Sequence, residues 1–329
     1  MQRMHTLPED RLPWCELHVH IEGTLEPATI FALARAQGVT LPYASEADLA
    51  RAYQFTDLQS FLNLYYENMR VLQHEEDFFE LAAAYLRRAH AGGVVHAEMF
   101  VDPQAHFTRG IPESVVLAGL HRAIDTVYAE TGITASIIVC ILRDHPVDEA
   151  ERMLDRVLET GLAVTGLGLD SAEVGYPPQL FTRVFERARA AGMQLVAHAG
   201  EEGPPEYVWQ ALDILGVQRI DHGNRALEDP ALVARLARDR VPLTMCPFSN
   251  IRLRVIDDIT QFPLLRALDA GLLVTINSDD PAYFGGYLDD NLRALTSTFA
   301  LTPDVCHELA LNSVRASFLD ATTRAKLGT

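Results

Sequence analysis

Residues 15–20 read Cys-Glu-Leu-His-Val-His, a short run that is typical of a β-strand and ends in two histidines, His18 and His20, one residue apart. A second apolar run ends much later at His198, and the last one leads into Asp279. In a parallel barrel, the carboxyl ends of strands from distant parts of the sequence meet at one mouth. Three imidazoles and a carboxylate at one mouth predict a divalent metal site that keeps a position for water.

Short apolar runs, several of them rich in β-branched residues, are predicted to be strands buried on both faces. They cover residues 15–20, 94–101, 133–142, 164–170, 193–199, 219–222, 241–246 and 272–278. Segments of helical periodicity lie between them, such as residues 113–130, 147–159 and 178–191. Strands that alternate with helices in this way predict an α/β fold, a (β/α)8 TIM barrel rather than an open sheet.

The connection after the first strand is unusually long. Residues 27–92 hold several predicted helical segments, including 58–72 and 75–91, and we interpret them as extra helices inserted over the barrel mouth. Aromatic residues of this insertion either contribute to a pocket lid or pack within a helical hairpin. No repeat, linker or low-complexity stretch divides the chain, so we predict a single domain over residues 1–329.

Composition limits the classes of partner. Of 329 residues 48% are hydrophobic and 22% charged, and the net charge is −18 at pH 7. This charge offers no basic footprint to nucleic acid, and no apolar stretch approaches the roughly 20 residues of a membrane helix. The first residues, MQRMHTLPEDRLPW, contain no apolar signal region. We therefore expect a cytoplasmic protein that binds neither nucleic acid nor membrane.

The cysteines are expected to be reduced. Cys15, Cys140, Cys246 and Cys306 form no Cys-x-x-Cys pair, so a structural zinc knuckle is not indicated. Cys15 and Cys140 lie in apolar runs and are predicted to be small core residues.

Side-chain alternation along a strand puts His18 and His20 on the same face, where both can bind one metal ion. An isolated His-x-His would more often be a pair of satisfied histidines, but here a loop sequence, Ile-Glu-Gly-Thr, follows the run. His222 also ends a predicted strand. On local grounds it is equally a ligand, a group that orients or deprotonates water, or a histidine satisfied by backbone.

Carboxyl groups follow two of these strand ends. Glu201 lies just beyond His198, where partial desolvation beside a metal would raise its pKa and let it act as an acid; alone, it would be a solvated loop carboxylate. Asp279 and Asp280 are adjacent on an extended segment and point in different directions, so one can face the metal and the other a substrate donor. The alternative is an Asp-rich turn before proline.

Other metal chemistries lack their motifs. The sequence has no His-Glu-x-x-His, and Cys246 is followed by proline without the second cysteine of a Pro-Cys-x-x-Cys deaminase motif. The fourth predicted strand end offers no lysine to bridge two metals. We therefore expect one metal ion per chain.

Five motifs in this order resemble the adenosine/adenine deaminase family of the amidohydrolase superfamily, along nearly the whole chain. They are ELHVHIEGTLEP (16–27), HAGEEGPP (198–205), RIDHGNRALEDP (219–230), LTMCPFSNIRLRV (243–255) and VTINSDDPAYFGGY (274–287). The resemblance implies the same barrel and hydrolytic deamination of a purine at C6. It also implies one zinc ion held by His18, His20, His198 and Asp279, although iron is not excluded.

The resemblance also implies roles for the neighbouring side chains. Glu201 would donate a proton to purine N1, because attack at C6 costs aromaticity unless N1 is protonated. His222 would orient the attacking water and help to deprotonate it. Asp280 would bond purine N7, a contact that needs a proton on N7 or on the carboxyl group.

The motifs look like the adenine deaminase branch, which converts adenine to hypoxanthine and ammonia in purine salvage. Nucleoside deaminases usually have aspartate where Glu22 stands, serving ribose, and the longer Glu22 would fill that space. The segment from Gly168 to Glu173 is predicted to lie under the N3/N9 edge, with Glu173 accepting N9–H. Ala172, Asn224 and Phe248 depart from the usual pattern and are either neutral or reshape the pocket.

Several alternatives stay open at this point. One is a deaminase of N6-substituted adenines such as cytokinin-type bases, and another is an adenosine deaminase. A third is a barrel metallohydrolase of phosphotriesters or lactones, and a fourth is a deaminase-like purine-binding protein without turnover. The sequence also leaves the oligomeric state open, a homo-oligomer included.

Overall fold

The computed structural model describes residues 12–329, so most of the N-terminal segment expected to lack a signal region lies outside the described residues. Parallel strands pair in chain order, β1 with β2 through to β7 with β8. They are β1 Trp14–His20, β2 Val94–Val101, β3 Thr134–Leu142, β4 Gly166–Asp170, β5 Gln194–Ala199, β6 Arg219–His222, β7 Pro242–Met245 and β8 Leu273–Ile276. Nearly every strand residue is buried, as expected of strands covered on both faces. The predicted (β/α)8 barrel is confirmed.

The barrel closes between β8 and β1 through a short seam. Val19 bridges Asp279, with His20 N donating to Asp279 O at 3.0 Å and Asp279 N donating to His18 O at 3.1 Å. Below this bridge, side chains replace backbone acceptors, because Leu17 N donates to Asn277 Oδ1 at 2.8 Å. The seam therefore fixes Asp279 directly beside the histidines of β1.

Helices follow the strands and cover the sheet. They are α1 Pro27–Gln37, α2 Glu46–Ala52, α3 Leu58–Asn68, α4 Glu75–Ala91, α5 Pro103–Phe107, α6 Glu113–Thr131, α7 Val147–Glu159, α8 Thr182–Ala190, α9 Pro205–Gln210, α10 Pro230–Asp239, α11 Pro247–Arg252, α12 Leu264–Asp269, α13 Pro281–Phe284, α14 Leu288–Phe299, α15 Pro303–Ala316 and α16 Ala321–Lys326. Many begin with proline in the first turn, which needs no amide donor there. The Asp229 side chain caps α10 by accepting from Ala231 N at 2.8 Å.

Four helices, α1 to α4, lie between β1 and β2, in the segment interpreted as an insertion. One face of α3 is buried, through Leu58, Phe61, Leu62 and Tyr65. Tyr65 and Phe61 contact the rings of Tyr283 and Phe284, which follow β8. This aromatic contact joins the inserted helices to the strand end that carries Asp279.

Cys15, Cys140 and Cys246 are buried and Cys306 is half-buried, and all of them are free thiols. Along residues 12–329, no helix combines the length and the apolar character that crossing a bilayer requires.

Candidate active site

Four strand ends bring the predicted metal ligands together at the mouth of the barrel. His18 and His20 come from β1, His198 from β5, and Asp279 follows β8; all are buried. His18 Nε2 lies 3.2 Å from Asp279 Oδ1, and His20 Nε2 lies 3.2 Å from His198 Nε2 and 3.5 Å from Asp279 Oδ1. His222, at the end of β6, joins them: His18, His198, His222 and Asp279 each offer an atom within 4.8 Å of the others.

The separations fit a shared metal ion. Ligand atoms about 2.0–2.2 Å from a tetrahedral zinc ion are roughly 3.3 Å apart, close to the distances within this cluster. A nitrogen-rich set with one carboxylate suits zinc and other divalent first-row metals. The donor set at the mouth therefore fits the metal that the sequence predicts.

A chain of hydrogen bonds behind His18 fixes which of its nitrogens faces the cluster. Thr244 Oγ1 donates to Asp221 Oδ1 at 2.9 Å, so its lone pair accepts from His18 Nδ1, also at 2.9 Å. His18 therefore carries its proton on Nδ1 and presents the lone pair of Nε2 to the mouth. The other oxygen of Asp221 lies 3.7 Å from His198 Nδ1. Sequence reasoning gave Asp221 and Thr244 no role.

Backbone strain is concentrated at the mouth. His222, Asp279 and Ser171 have φ angles of 62°, 65° and 69°, in the left-handed region that residues other than glycine rarely adopt. Each of the three lines the cavity described below. Strain of this kind persists where the surrounding structure holds a side chain in a particular direction, as functional sites often require.

A small cavity opens onto the cluster of proposed metal ligands. Its apolar wall comes from the inserted helices and the segments after β7 and β8, through Leu58, Phe61, Leu62, Tyr65, Leu253 and Phe284. Its polar wall consists of His20, Tyr66, Asp102, Asp170, Ser171, His198, Glu201, His222, Asp279 and Asp280. Such a cavity, small and flanked by apolar side chains with convergent polar groups, suits a compact planar ligand.

Burial raises the pKa of four carboxyl groups that line this cavity, those of Glu201, Asp280, Asp102 and Asp170. Burial, followed by the charges of Asp279 and Glu173, raises the pKa of Glu201 well above its ordinary value. Burial and the charge of Asp279 do the same to the pKa of Asp280, whose Oδ1 has no hydrogen-bond partner among the described residues. Both side chains can therefore offer a proton to a ligand in the cavity.

His222 has the opposite character. Burial lowers its pKa to about 3, so the imidazole is neutral near pH 7 and can accept a proton. Its Nε2 lies 3.4 Å from Glu201 Oε2 and 3.7 Å from Asp279 Oδ2. The His222 imidazole thus lies close both to Asp279, a proposed metal ligand, and to the Glu201 carboxyl group.

Three predicted substrate contacts lie outside the lining of this cavity, as far as the described residues show. Glu22 accepts from His106 Nε2 at 2.7 Å and from Asp102 N at 3.1 Å. A Cβ on Gly168 would lie 2.5 Å from Cys140 Sγ, inside the barrel, so packing between strands accounts for this glycine. Glu22 and Gly168 therefore lie behind the residues that line the cavity and pack against other parts of the barrel.

Glu173 holds the loop that carries Glu201. Its Oε1 accepts from Gly200 N at 2.6 Å, and its Oε2 accepts from the backbone N–H groups of Glu201, Glu202 and Gly203 at 2.7–3.0 Å. Both oxygens of the carboxylate are thereby engaged. The loop has no room for a side chain at residue 203, where a Cβ would lie 2.6 Å from Glu173 Cδ.

The residues that depart from the family pattern are also absent from the lining of this cavity, within the described chain. Ala172 packs against the core, and Phe248 lies against Gly286. Asn224 lines a second cavity, which shares Glu201 and Leu253 with the first. Charged side chains of Glu202, Arg225, Glu228, Arg254 and Arg266 surround much of this second cavity.

Comparisons with known proteins agree with this geometry. The family described as Adenosine deaminase matches residues 13–329. An adenine deaminase of Streptomyces coelicolor is 58% identical over 94% of this chain and 91% of its own. The crystal structure of adenine deaminase from Arthrobacter aurescens has a TM-score of 0.95 and 50% identity, covering 96% of this chain and 97% of that one.

A metal is present in another relative. The crystal structure of an amidohydrolase from Burkholderia ambifaria with bound Zn has a TM-score of 0.88 and 30% identity, and it covers 95% of this chain and 88% of that one. With its strand ends, its cavity and a family match from residue 13 to residue 329, the chain belongs to the adenosine deaminase family.

Proposed function

We propose that this chain is an adenine deaminase, which converts adenine and water to hypoxanthine and ammonia. The observation that carries the proposal is that Glu201 and Asp280 line one cavity together with proposed metal ligands, and that burial raises the pKa of both carboxyl groups. Their placement matches the purine ring, since N1 and N7 flank C6. Adenine deaminases of 50–58% identity that cover most of the chain support the same assignment.

In this proposal, each side chain acts at a stated atom of the base. Glu201 donates its proton to N1, which makes C6 more electrophilic and neutralises the charge that attack would otherwise place on N1. His222, neutral near pH 7, orients the attacking water and accepts its proton. Asp280 donates to N7 and so aligns the ring. Phe61, Leu62 and Leu253 enclose the ring and exclude bulk water.

The proposed ligands are His18, His20, His198 and Asp279, and the proposed ion is zinc, with iron as the alternative. A bound divalent ion supplies a Lewis acid that lowers the pKa of water from about 15.7 to about 7. The nitrogen-rich donor set and a relative with bound zinc support this choice. Metal analysis of the purified chain should find one equivalent of zinc.

The structure brings both His20 and His222 to the cluster, so their variants distinguish ligand from base. We expect His20→Asn to lose the metal, because it removes a proposed ligand. His222→Asn should retain about one equivalent but lose most activity, because it removes the proposed proton acceptor. Metal content by atomic absorption and ammonia release measure the two effects. If the His222 variant lost the metal and the His20 variant kept it, His222 would be the ligand and His20 the proton acceptor.

Adenine is preferred here over an N6-alkyl adenine because relatives of 50–58% identity over most of the chain are adenine deaminases. A panel of adenine, an N6-alkyladenine and adenosine, followed by release of ammonia or of the alkylamine, tests the choice. The highest kcat/KM is expected for adenine. A higher value for adenosine or for the substituted base would replace this assignment, and no turnover of any purine would favour a binding protein or another hydrolase.

The remaining parts of the proposal concern the chain as a whole. We propose that it is a single domain that takes a purine base as its small-molecule partner and acts in the cytoplasm in purine salvage. The fold, with its mouth covered by the α1–α4 segment, is compatible with a chain that functions alone or as a homo-oligomer. The small, deeply placed cavity suits a base better than a nucleic acid.

A further inference from the structure

The reacting groups occupy one side of the cavity. The proposed ligands and their neighbours come from β1, β5, β6 and the segment after β8. A base with C6 at this cluster, N1 at Glu201 and N7 at Asp280 directs its opposite edge, which carries N3 and N9, away from these strands. The polar groups that line the cavity outside this set follow β2 and β4 and are Asp102, Asp170 and Ser171, with Tyr66 beside them.

Asp102 has an oxygen free to meet that edge. Its side chain is 1% exposed, it lines the cavity, and its Oδ1 has no hydrogen-bond partner among residues 12–329. Its backbone N–H donates to Glu22 Oε1 at 3.1 Å, and Pro103 begins α5 immediately after it, so the residue is held from both sides. A buried acceptor without a partner is costly, which indicates that a ligand completes it.

Each neighbouring polar group already makes a contact of its own. Asp170 Oδ2 lies 3.6 Å from His20 Nδ1 and so orients a proposed metal ligand. Ser171 shares a hydrogen bond of 3.1 Å with the Tyr66 hydroxyl. Both oxygens of Glu173, the residue predicted from sequence for this role, accept backbone N–H groups. Asp170 Oδ1 also lacks a partner among the described residues, but its other oxygen faces His20, so of the two carboxyl groups Asp102 is the one that forms no ion pair with a proposed metal ligand.

We propose that Asp102 accepts the N9–H of the free base and thereby sets the preference for a base over N9-substituted purines. This inference rests on the proposed function. A free base has a proton on N9 that a nucleoside or any N9-alkyl purine lacks. A purine with a substituent at N9 would leave Asp102 Oδ1 without a partner and would also press a carbon atom against it. Sites built to bond a substrate N–H reject analogues without it far more strongly than apolar pockets reject a methylene.

The test compares adenine with 9-methyladenine as substrates of the full-length, metal-loaded chain. For the wild-type protein, we expect kcat/KM for adenine to exceed that for 9-methyladenine by at least about 100-fold. Asp102→Ala should lower kcat/KM for adenine by about 10–100-fold while leaving or raising that for 9-methyladenine. Asp102→Asn retains a carbonyl acceptor in the same shape, so it should restore part of the adenine rate.

Controls separate this role from others. Metal content is measured for every variant, because Asp102 lies within 4.8 Å of His20 and Asp170. Asp144→Asn removes a carboxylate after the neighbouring strand β3 that does not line the cavity, and it should leave the substrate ratio unchanged. If the Ala variant does not fold, the Asn variant is used in its place. Calorimetry then compares the affinity of the wild-type and Asn proteins for hypoxanthine with their affinity for 9-methylhypoxanthine.

Two results overturn the inference. One is an equal loss on both substrates, which assigns Asp102 to the reaction or to the metal. The other is an unchanged ratio in the Ala and Asn variants. Both differ from failure of the proposed function, in which the wild-type protein releases no ammonia from adenine at all.

Discussion

The proton on Glu201 can be tested by exchanging one group. Glu201→Gln keeps the shape of the side chain but removes the acid that would protonate N1. We expect kcat for adenine to fall by about 10²–10⁴-fold, the usual contribution of a positioned general acid. Metal content should stay the same, because Glu201 is not among the proposed ligands. Ammonia release and metal analysis of the same preparation measure both.

Glu202 provides the matched control for this variant. It is the next residue and also a glutamate, but it is half-buried and lines the second cavity instead of the first. Glu202→Gln should therefore keep near wild-type activity. Turnover that survives in the Glu201 variant, or equal losses in both variants, would contradict the assignment of the acid.

The sequence predicts the site residues that lie at the ends of strands, but it does not predict the residues that contact and position them. The alternation of side chains and the rule for parallel barrels predict that His18, His20 and His198 meet. Thr244 and Asp102 gain their roles from neighbours on other strands, and a sequence shows no such pairing. Glu173 was predicted to contact the substrate, but its side chain turns toward the backbone of residues 200–203, a direction that depends on where that loop lies.

At the scale of elements, the loop after β5 depends on one side chain. Glu173 accepts four of its backbone N–H groups, and no helix or strand holds residues 200–203. Glu173→Gln would leave an amide NH₂ facing backbone donors and would shift the loop that carries Glu201. We expect kcat to fall by about 10²-fold, since a displacement of about 1 Å can cost that much.

A positioning role predicts a particular pattern of measurements. kcat should fall more than KM rises, and metal content should remain at one equivalent. Glu206→Gln is the control, because Glu206 is an exposed carboxylate on α9, just beyond the same loop. A Glu173 variant with unchanged kcat and raised KM would instead favour the direct substrate contact predicted from sequence.

Sequence periodicity predicts the bounds of some helices and strands but not of others. Predicted strand 94–101 matches β2, because a mostly apolar run of this length after a glycine has few alternatives, and predicted strand 219–222 matches β6 although Ile220 is its one apolar residue. The predicted helix at 178–191 begins instead as a 3-10 turn, Pro178–Phe181, and becomes α-helical at Thr182. Two consecutive prolines fix the backbone there in a way that apolar spacing does not reveal.

At the scale of the molecule, a buried ion pair joins the barrel to the C-terminal segment. Glu98 on β2 and Arg219 on β6 are fully buried, with Arg219 Nη1 2.5 Å from Glu98 Oε2. Arg219 also donates to Leu17 O at 3.1 Å, and Glu98 accepts from Phe318 N. The Phe318 ring lies 4.6 Å from the guanidinium. Opposite sides of the barrel and the chain after α15 thus meet at one pair of charges.

This pair makes stability depend on pH in a predictable direction. Burial alone would raise the pKa of Glu98, but the charge of Arg219 together with His96 and the Phe318 N–H outweighs it and holds the pKa below its ordinary value. A lowered folded-state pKa means that the stabilisation is complete above the unfolded pKa of about 4.3 and is lost as the pH falls through the folded value. Glu98→Gln should therefore lower the free energy of unfolding by about 3 kcal/mol at pH 7, because it removes the nearest carboxylate from a buried cation and leaves only Asp221 Oδ1, 3.7 Å from Arg219 Nε.

The difference between the wild-type protein and the Glu98→Gln variant should begin to shrink as the pH falls below about 4, toward the lowered pKa of Glu98, since a protonated Glu98 resembles glutamine. Urea unfolding from pH 7 to pH 3.5 measures the decline, in a His96→Asn background so that the imidazole 3.6 Å from Glu98 Oε1 does not contribute. Glu130→Gln breaks an exposed pair with Arg87 and should change stability little at any pH. A difference that stays constant with pH would mean that Glu98 acts through its shape and hydrogen bonds, and that its charge contributes nothing to holding the barrel to the segment at Phe318.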